Sequence, residues 1–206
     1  MLLALLARKY RGASLSPIAM TTIYLAGPDV FLLDALDVGR RKVELCARYG
    51  LTGLFPLDNA VALAAHDASL QIFRGNEAMM DRADAIIANL TPFRGPSADA
   101  GTVYELGYMA GRGKLVLGYS NDPASYVDRV ARFETISNRD GLLIGADGLA
   151  VEDFGLPDNL MLMHCLELHG APLVTLPAAP ADLWHDLTAF ESCVQIAAQR
   201  LLRQAN

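Results

Sequence analysis

Residues 85–108 read AIIANLTPFRGPSADAGTVYELGY. The apolar run at 85–90 is typical of a strand that is buried on both faces of a parallel sheet. A loop follows at 91–97, and a helix pattern then begins with two carboxylates, Asp99 and Glu105. Because open α/β sheets bind their ligands at the carboxyl ends of the strands, this stretch predicts a site for a polar small molecule.

The same alternation of strand and helix runs through most of the chain. Apolar runs predict the strands, and a helical period predicts the segments between them. The predicted strands are 23–26, 51–55, 85–90, 114–119 and 172–176, and the predicted helices are 33–49, 67–82, 101–111, 159–169 and 181–203. This order predicts an α/β fold, a doubly wound parallel sheet of about five strands (flavodoxin-like) with flanking helices.

Residues 120–156 interrupt the alternation, because they are rich in Asp, Asn, Arg and Gly. A surface excursion is predicted there, with a short hairpin between 143–144 and 149–151. The length of the chain and the lack of a linker or repeat favour one domain over 20–206. Residues 1–19 precede a second methionine, Met20, and are predicted to be a dispensable or disordered extension.

Charge and hydropathy exclude several kinds of partner. The formal net charge is −6 at pH 7, which argues against a nucleic-acid polymer. The basic triplet Arg40-Arg41-Lys42 is predicted to be a solvated helix face. The apolar run at 1–6 is too short for a membrane span or a usual secretion signal, so we expect a cytoplasmic protein with no membrane partner.

The sequence contains no motif for a metal or a cofactor. Cys46, Cys165 and Cys193 form no CxxC pair and are interpreted as small core residues of a reducing compartment. His164 and His169 do not have the spacing of a helical metal pair. Because neither a GxGxxG nor a Walker motif is present, we expect no metal and no cofactor.

Glu105 is the candidate catalytic residue. It lies about one turn into the predicted helix, where backbone amides and the helix dipole favour a negative charge. An ionised glutamate is a competent nucleophile toward an electrophilic sugar carbon and would form a covalent intermediate. Gly101 leaves room for a ligand, and Asp99 stands where a helix cap is expected. A solvated glutamate and a purely structural cap are the alternative interpretations.

The first predicted strand ends at the same edge of the sheet, in the sequence YLAGP. The phenol of Tyr24 could hydrogen-bond a carboxylate of the neighbouring strand–helix turn, although a core aromatic is the simpler interpretation. Gly27 has no side chain, which leaves the space that a sugar ring needs beside it. Phe31 and Phe93 lie on loops at this edge and are candidates to stack on a planar ligand.

Four motifs together resemble the nucleoside 2-deoxyribosyltransferase family. They occur in the family's order, and they are YLAGP at 24–28, FPLDN at 55–59, DAGTVYELGY at 99–108 and NLM at 159–161. The resemblance implies a ping-pong transfer of 2-deoxyribose between nucleobases, in which Glu105 attacks the anomeric carbon. It further implies that Tyr24 positions Glu105 and that Asp99 hydrogen-bonds the 5′-hydroxyl.

The resemblance also implies a homo-oligomer with shared active sites. Asn159 of a neighbouring subunit would complete the sugar pocket, and Met161 would line it. Related nucleotide N-glycosidases carry a serine where Asp99 stands, so a carboxylate there favours nucleosides, because it repels a 5′-phosphate. The expected partners are deoxynucleosides and free nucleobases, as in nucleotide salvage.

One position departs from the family pattern. Some members present an aspartate to the base from the preceding helix, where this chain has Asn76 and Glu77. An amide at Asn76 can hydrogen-bond a base but cannot protonate it, whereas Glu77 could do so if it faces the pocket. Both are otherwise solvated helix residues. Asp58 is equally a candidate for contacting the base and for closing a turn.

Two other functions stay open at this point. An N-glycoside hydrolase would use the same glycosyl-enzyme, with water in place of the acceptor base. A non-catalytic nucleoside-binding module would hold its ligand on the same sheet without turnover.

Overall fold

The strands of the main sheet lie where apolar runs occur in the sequence. The computed structural model describes residues 20–58 and 66–202, so the predictions for 1–19 and for Asn59 lie outside the described residues. The strands are β1 (Thr22–Ala26), β2 (Thr52–Leu54), β3 (Ala85–Asn89), β4 (Leu115–Ser120), β5 (Ser137–Arg139), β6 (Leu142–Ile144) and β7 (Val174–Thr175).

Five of these strands form one parallel sheet in the order β2-β1-β3-β4-β7. Tyr24 of β1 is opposite Leu54 of β2 on one side and Ile86 of β3 on the other. The chain therefore places β2 on one side of β1 and β3 on the other side. Such a reversal of strand order opens a crevice at the carboxyl ends of the two strands. The prediction of a five-stranded, doubly wound sheet is confirmed.

Helices cover both faces of this sheet. They are α1 (Ala35–Arg48), α2 (Ala68–Arg82), α3 (Ala100–Gly111), α4 (Tyr126–Val130), α5 (Leu160–His169) and α6 (Thr188–Leu201). Alternate residues of β1 face opposite layers: Ile23 packs with α1 and α6, and Tyr24 packs with α2, α3 and α5. This alternation follows from the two-residue period of a strand.

The last helix begins later than the sequence predicts. It starts at Thr188 and not at residue 181. Asp182 accepts hydrogen bonds from the backbone N–H groups of Trp184 and His185, both at 3.1 Å. These bonds make a turn that competes with helix formation, which explains the shorter helix.

The hairpin of the excursion also differs from the prediction. β5 pairs with β6 across Asp140 and Gly141, whose φ angles of 53° and 88° suit a two-residue hairpin turn. The predicted partner segment, 149–151, makes only a single bridge, between Ala150 and Ile144. A tight turn with both residues at positive φ therefore determines the pairing.

The three cysteines are free thiols, with Cys46 and Cys193 buried as predicted and Cys165 partly buried. Across residues 20–58 and 66–202, no helix combines the length and the apolar character that a membrane crossing requires.

The interpretation of the basic triplet as a solvated face is wrong for Lys42. Arg40 is exposed and pairs with Asp37 and Glu44, but Lys42 is 1% exposed. Lys42 Nζ lies 2.5 Å from Asp29 Oδ2. Lys42 belongs to the helical stripe of α1 that faces the sheet, in register with Val38 and Cys46. The sheet side of α1 therefore contains a buried ion pair.

Lys42→Met leaves the Asp29 carboxylate buried without its counter-ion. We expect the free energy of unfolding to fall by about 3–5 kcal/mol, because an unpaired buried charge is strongly unfavourable. The double variant Lys42→Met/Asp29→Asn removes both charges and should recover most of this loss. Arg40→Met, which removes an exposed charge, should change stability by less than about 0.5 kcal/mol. Urea unfolding would contradict this account if Lys42→Met and Arg40→Met were equivalent.

Candidate active site

A cavity of about 320 Å³ opens at the carboxyl edge of the sheet, beside β1 and the start of α3. It is lined by Gly27, Val30, Phe31, Pro56, Leu57, Ile72, Asn76, Asp99, Gly101, Thr102 and Glu105. Six of these residues were predicted from the sequence as site residues. The structure thus brings half of the twelve candidate residues to one place.

Glu105 lines this cavity, and Tyr24 of the sheet hydrogen-bonds its carboxyl. Tyr24 is fully buried in β1, and its hydroxyl donates a hydrogen bond of 2.6 Å to Glu105 Oε1. Tyr24 is therefore both a core aromatic and a partner of the carboxyl. Its position in β1, next to β3, brings it under the helix that follows β3.

Burial raises the pKa of Glu105 from the ordinary 4.5 to about 7. The charge of Asp99 acts in the same direction, while hydrogen bonds from Tyr24 and Asn76 oppose the rise. The negative charge that the helix terminus is expected to favour is therefore opposed by desolvation, which is the larger effect on this carboxyl. At neutral pH the carboxyl is poised between its two protonation states, which is typical of functional sites.

Asp99 caps helix α3, as predicted, and also faces the cavity. Its Oδ2 accepts hydrogen bonds from the Thr102 backbone N–H at 2.9 Å and from the Thr102 hydroxyl at 3.0 Å. Both bonds use the same carboxylate oxygen. The two interpretations of Asp99, as cap and as ligand contact, are therefore compatible.

Gly27 is required by the close approach of the chain at the end of β1. Its φ is 154°, and a Cβ atom there would lie 2.5 Å from Asp29 Oδ2 and 2.7 Å from Asn89 Cβ. A larger residue would displace the turn at Pro28–Phe31, which forms one wall of the cavity. Gly101 lines the cavity as well, at the start of α3.

The two predicted stacking residues contact each other. The rings of Phe31 and Phe93 are parallel to within 12° and their centroids are 5.2 Å apart. Phe31 lines the cavity and is 57% exposed, whereas Phe93 is the second layer of the wall. The Arg94 guanidinium lies over both rings, and Trp184 meets the edge of Phe93. Trp184, which lies in the turn before α6, has no motif around it that would have identified it.

Helix α2 places its two polar candidates differently. Asn76 lines the cavity and hydrogen-bonds the Glu105 carboxyl. Glu77 accepts a hydrogen bond of 2.8 Å from the Tyr104 hydroxyl, on the exposed side of α3. Ile72, one turn before Asn76, shares its face and adds an apolar contact to the cavity. Helical spacing from Asn76 could have identified Ile72.

The remaining candidates lie away from the cavity of their own chain. Asp58 is exposed and accepts a hydrogen bond of 3.1 Å from the Phe55 backbone N–H, which closes a turn. Asn159 caps α5 by accepting from the Met161 N–H at 3.0 Å. The Met161 side chain is 71% exposed. Within one described subunit, these three residues do not line the cavity.

The fold and the site define an α/β protein that holds a desolvated glutamate at the switch point of its sheet. Residues 23–161 match the family model described as nucleoside 2-deoxyribosyltransferase. The chain belongs to the nucleoside 2-deoxyribosyltransferase family, and it is an enzyme of that class.

The chain is also similar to individual proteins. The chain is 34% identical to a 2-desoxiribosyltransferase from Leishmania mexicana, with a TM-score of 0.60 over 85% of this chain and 97% of that chain. A conserved protein from Enterococcus faecalis, 22% identical, shares the fold with a TM-score of 0.54 over 89% of this chain and 100% of that one. An uncharacterized protein of Schizosaccharomyces pombe is 31% identical over 75% of this chain and 81% of its own length.

Glu105→Gln should stabilise the protein at high pH only. Because the folded-state pKa is raised, ionisation of Glu105 lowers stability as the pH rises from 4.5 to about 7. At about 1.4 kcal/mol per pKa unit, the gain of the variant above pH 7 is at most about 3 kcal/mol, and it disappears below pH 4. Urea unfolding at pH 4 and pH 8 measures this difference. Glu191→Gln controls for the loss of a carboxyl elsewhere, and equal gains at both pH values would contradict the assignment.

Proposed function

We propose that the enzyme transfers 2-deoxyribose between nucleobases through a glycosyl intermediate on Glu105. The observation that carries this proposal is the desolvated Glu105 carboxyl, held at 2.6 Å by a fully buried tyrosine and facing a cavity. The similarity to a protein described as a 2-desoxiribosyltransferase, which extends over 97% of that chain, supports the same substrate class.

The chemistry follows from a carboxylate nucleophile. The ionised Glu105 attacks C1′ of a deoxynucleoside while the C1′–N bond breaks, and the departing base takes the bonding electrons and then a proton from solvent. A second base then attacks C1′, expels the carboxylate and loses a proton. Two inversions retain the configuration at C1′, as in retaining glycosidases. Tyr24 holds the carboxyl oxygen in place through both steps.

Other residues of the cavity define the substrate. Asp99 Oδ2 accepts both hydrogen bonds from Thr102. We therefore assign the other carboxylate oxygen, Oδ1, to the 5′-hydroxyl of the sugar. A 5′-phosphate would meet its negative charge in a partly desolvated site, which favours nucleosides. Phe31 offers its face to the base, backed by Phe93, and Asn76 can hydrogen-bond a base edge.

We also propose a homo-oligomer in which α5 of one subunit contributes to the cavity of another. Asn159 and Met161 lie exposed at the start of α5 and away from their own cavity. An exposed methionine beside an amide is suited to cover the open side of a neighbouring sugar site. Such an enzyme would serve nucleoside salvage in the cytoplasm.

Incubation of a deoxynucleoside with a second free base should yield the mixed nucleoside. Glu105→Ala should abolish this transfer without unfolding the protein, because it removes the nucleophile. A 2-fluoro sugar should leave a covalent adduct on Glu105 that mass spectrometry can locate. Free deoxyribose in place of the mixed nucleoside would identify a hydrolase. Nucleoside binding without turnover or an adduct would identify a binding module.

The rate of transfer should depend on the ionisation of Glu105. Because the carboxylate is the nucleophile, kcat/KM should rise about tenfold per pH unit below pH 7 and level off above it. Tyr24→Phe removes a hydrogen bond that lowers the pKa of Glu105, so the acid limb should move to higher pH. The plateau should fall roughly 10–100-fold, because the carboxyl loses its orientation.

Tyr49→Phe is the matched control. It removes a second Tyr–Glu hydrogen bond, 2.8 Å from the Tyr49 hydroxyl to Glu191 Oε1, which lies outside the cavity. Its pH profile should coincide with that of the wild type. A profile of Tyr24→Phe that also coincides with the wild type would remove Tyr24 from the mechanism.

A further inference from the structure

Asp158 holds the loop that leads into Asp99. Its side chain is 2% exposed and accepts hydrogen bonds through both carboxylate oxygens. Oδ1 accepts from the Ser97 hydroxyl at 2.5 Å, and Oδ2 accepts from the Ala98 N–H at 3.2 Å. The two residues that precede Asp99 are therefore fixed by one buried side chain.

The counter-ion of Asp158 comes from the excursion after the fourth strand. Arg129 of α4 is also 2% exposed, and its Nη2 lies 3.4 Å from Asp158 Oδ2. The pair is neutral as a whole, so it adds no net charge near Glu105. The excursion at 120–156 therefore has a structural connection to the site, through Arg129.

Asp158 also fixes the start of α5. Its Oδ1 accepts a hydrogen bond of 2.8 Å from the backbone N–H of Asn159, the capping residue of that helix. One carboxylate thus connects the loop before α3 to the loop before α5. These two loops carry Asp99 and Asn159, the residues assigned above to the sugar.

We propose that Asp158 is a positioning residue, which sets Asp99 in place for the 5′-hydroxyl of the substrate. The inference rests on the proposed function. Asp99 has an extended backbone, with φ −61° and ψ 132°, so the direction of its side chain depends on where the preceding peptide is held. Asp158 holds that peptide at the Ala98 N–H. Small displacements of a substrate contact reduce catalysis strongly.

The test compares two substrates, a 2′-deoxynucleoside and the corresponding 2′,5′-dideoxynucleoside, which lacks the 5′-hydroxyl. Asp158→Asn should lower kcat/KM roughly tenfold for the first and less than about twofold for the second. Ser97→Ala, a milder change, should lower it about threefold for the first only. A purely structural role predicts equal losses on both substrates, and that result would overturn the proposal, as would no loss on either.

A matched control and a mutant cycle complete the experiment. Asp122→Asn disrupts another buried aspartate of the excursion, paired with Arg132, and should affect both substrates alike. In an Asp99→Ala background, Asp158→Asn should add less than about twofold, because both changes act on one contact. Additive losses would show that Asp158 acts independently of Asp99, and would overturn the proposal.

A binding measurement distinguishes a failure of this proposal from a failure of the proposed function. In a Glu105→Gln background, adding Asp158→Asn should weaken binding of the 2′-deoxynucleoside roughly tenfold, measured by calorimetry, and leave the dideoxynucleoside unchanged. If the wild type binds nucleosides but forms no mixed nucleoside, the transfer mechanism fails, and this comparison alone decides the role of Asp158. Equal binding of the single and double variants overturns the proposal even if transfer is observed.

Discussion

The hydrogen bond between Tyr24 and Glu105 is the interaction on which the site depends. A carboxyl in this environment is poorly solvated, and it needs a partner if it is to be ionised at all. The Tyr24 hydroxyl and the Asn76 amide supply hydrogen bonds that partly offset burial, so the pKa rises only to about 7. The result is a carboxyl that ionises near neutral pH and keeps a fixed direction, 2.6 Å from its donor. A more solvated glutamate would ionise more easily, but it would be a better-hydrated and weaker nucleophile.

Strand order makes this contact available. Tyr24 and Glu105 are separated by 81 residues, and they meet because β1 lies directly beside β3. The helix that follows β3 therefore starts above the end of β1. The reversal of strand order at this point leaves a crevice. Gly27 lets the chain turn there, because a Cβ atom would collide with the buried Asp29 and Asn89 side chains. Fold and site are thus consequences of one arrangement of strands.

Much of this arrangement could be predicted from the sequence. The run at 85–90 and the cap at Asp99 have local causes, because they depend on neighbouring residues along the chain. Lys42 could not be predicted, since its burial depends on Asp29 and on rings from β4 and α6. The same limit applies to Asn76 and Glu77, because one residue of helix rotation decides which of them faces the cavity.

Two buried ion pairs support the cavity from outside. Asp29 pairs with Lys42 directly behind Gly27, and Asp158 pairs with Arg129 behind the loop before Asp99. Buried ion pairs contribute little net stability compared with apolar residues, so stability alone does not explain them. Each aspartate, however, accepts further hydrogen bonds with fixed directions, from Asn89 to Asp29 and from Ser97 to Asp158. Apolar packing cannot specify direction in this way. Because each pair is neutral overall, it fixes a loop without adding charge beside Glu105.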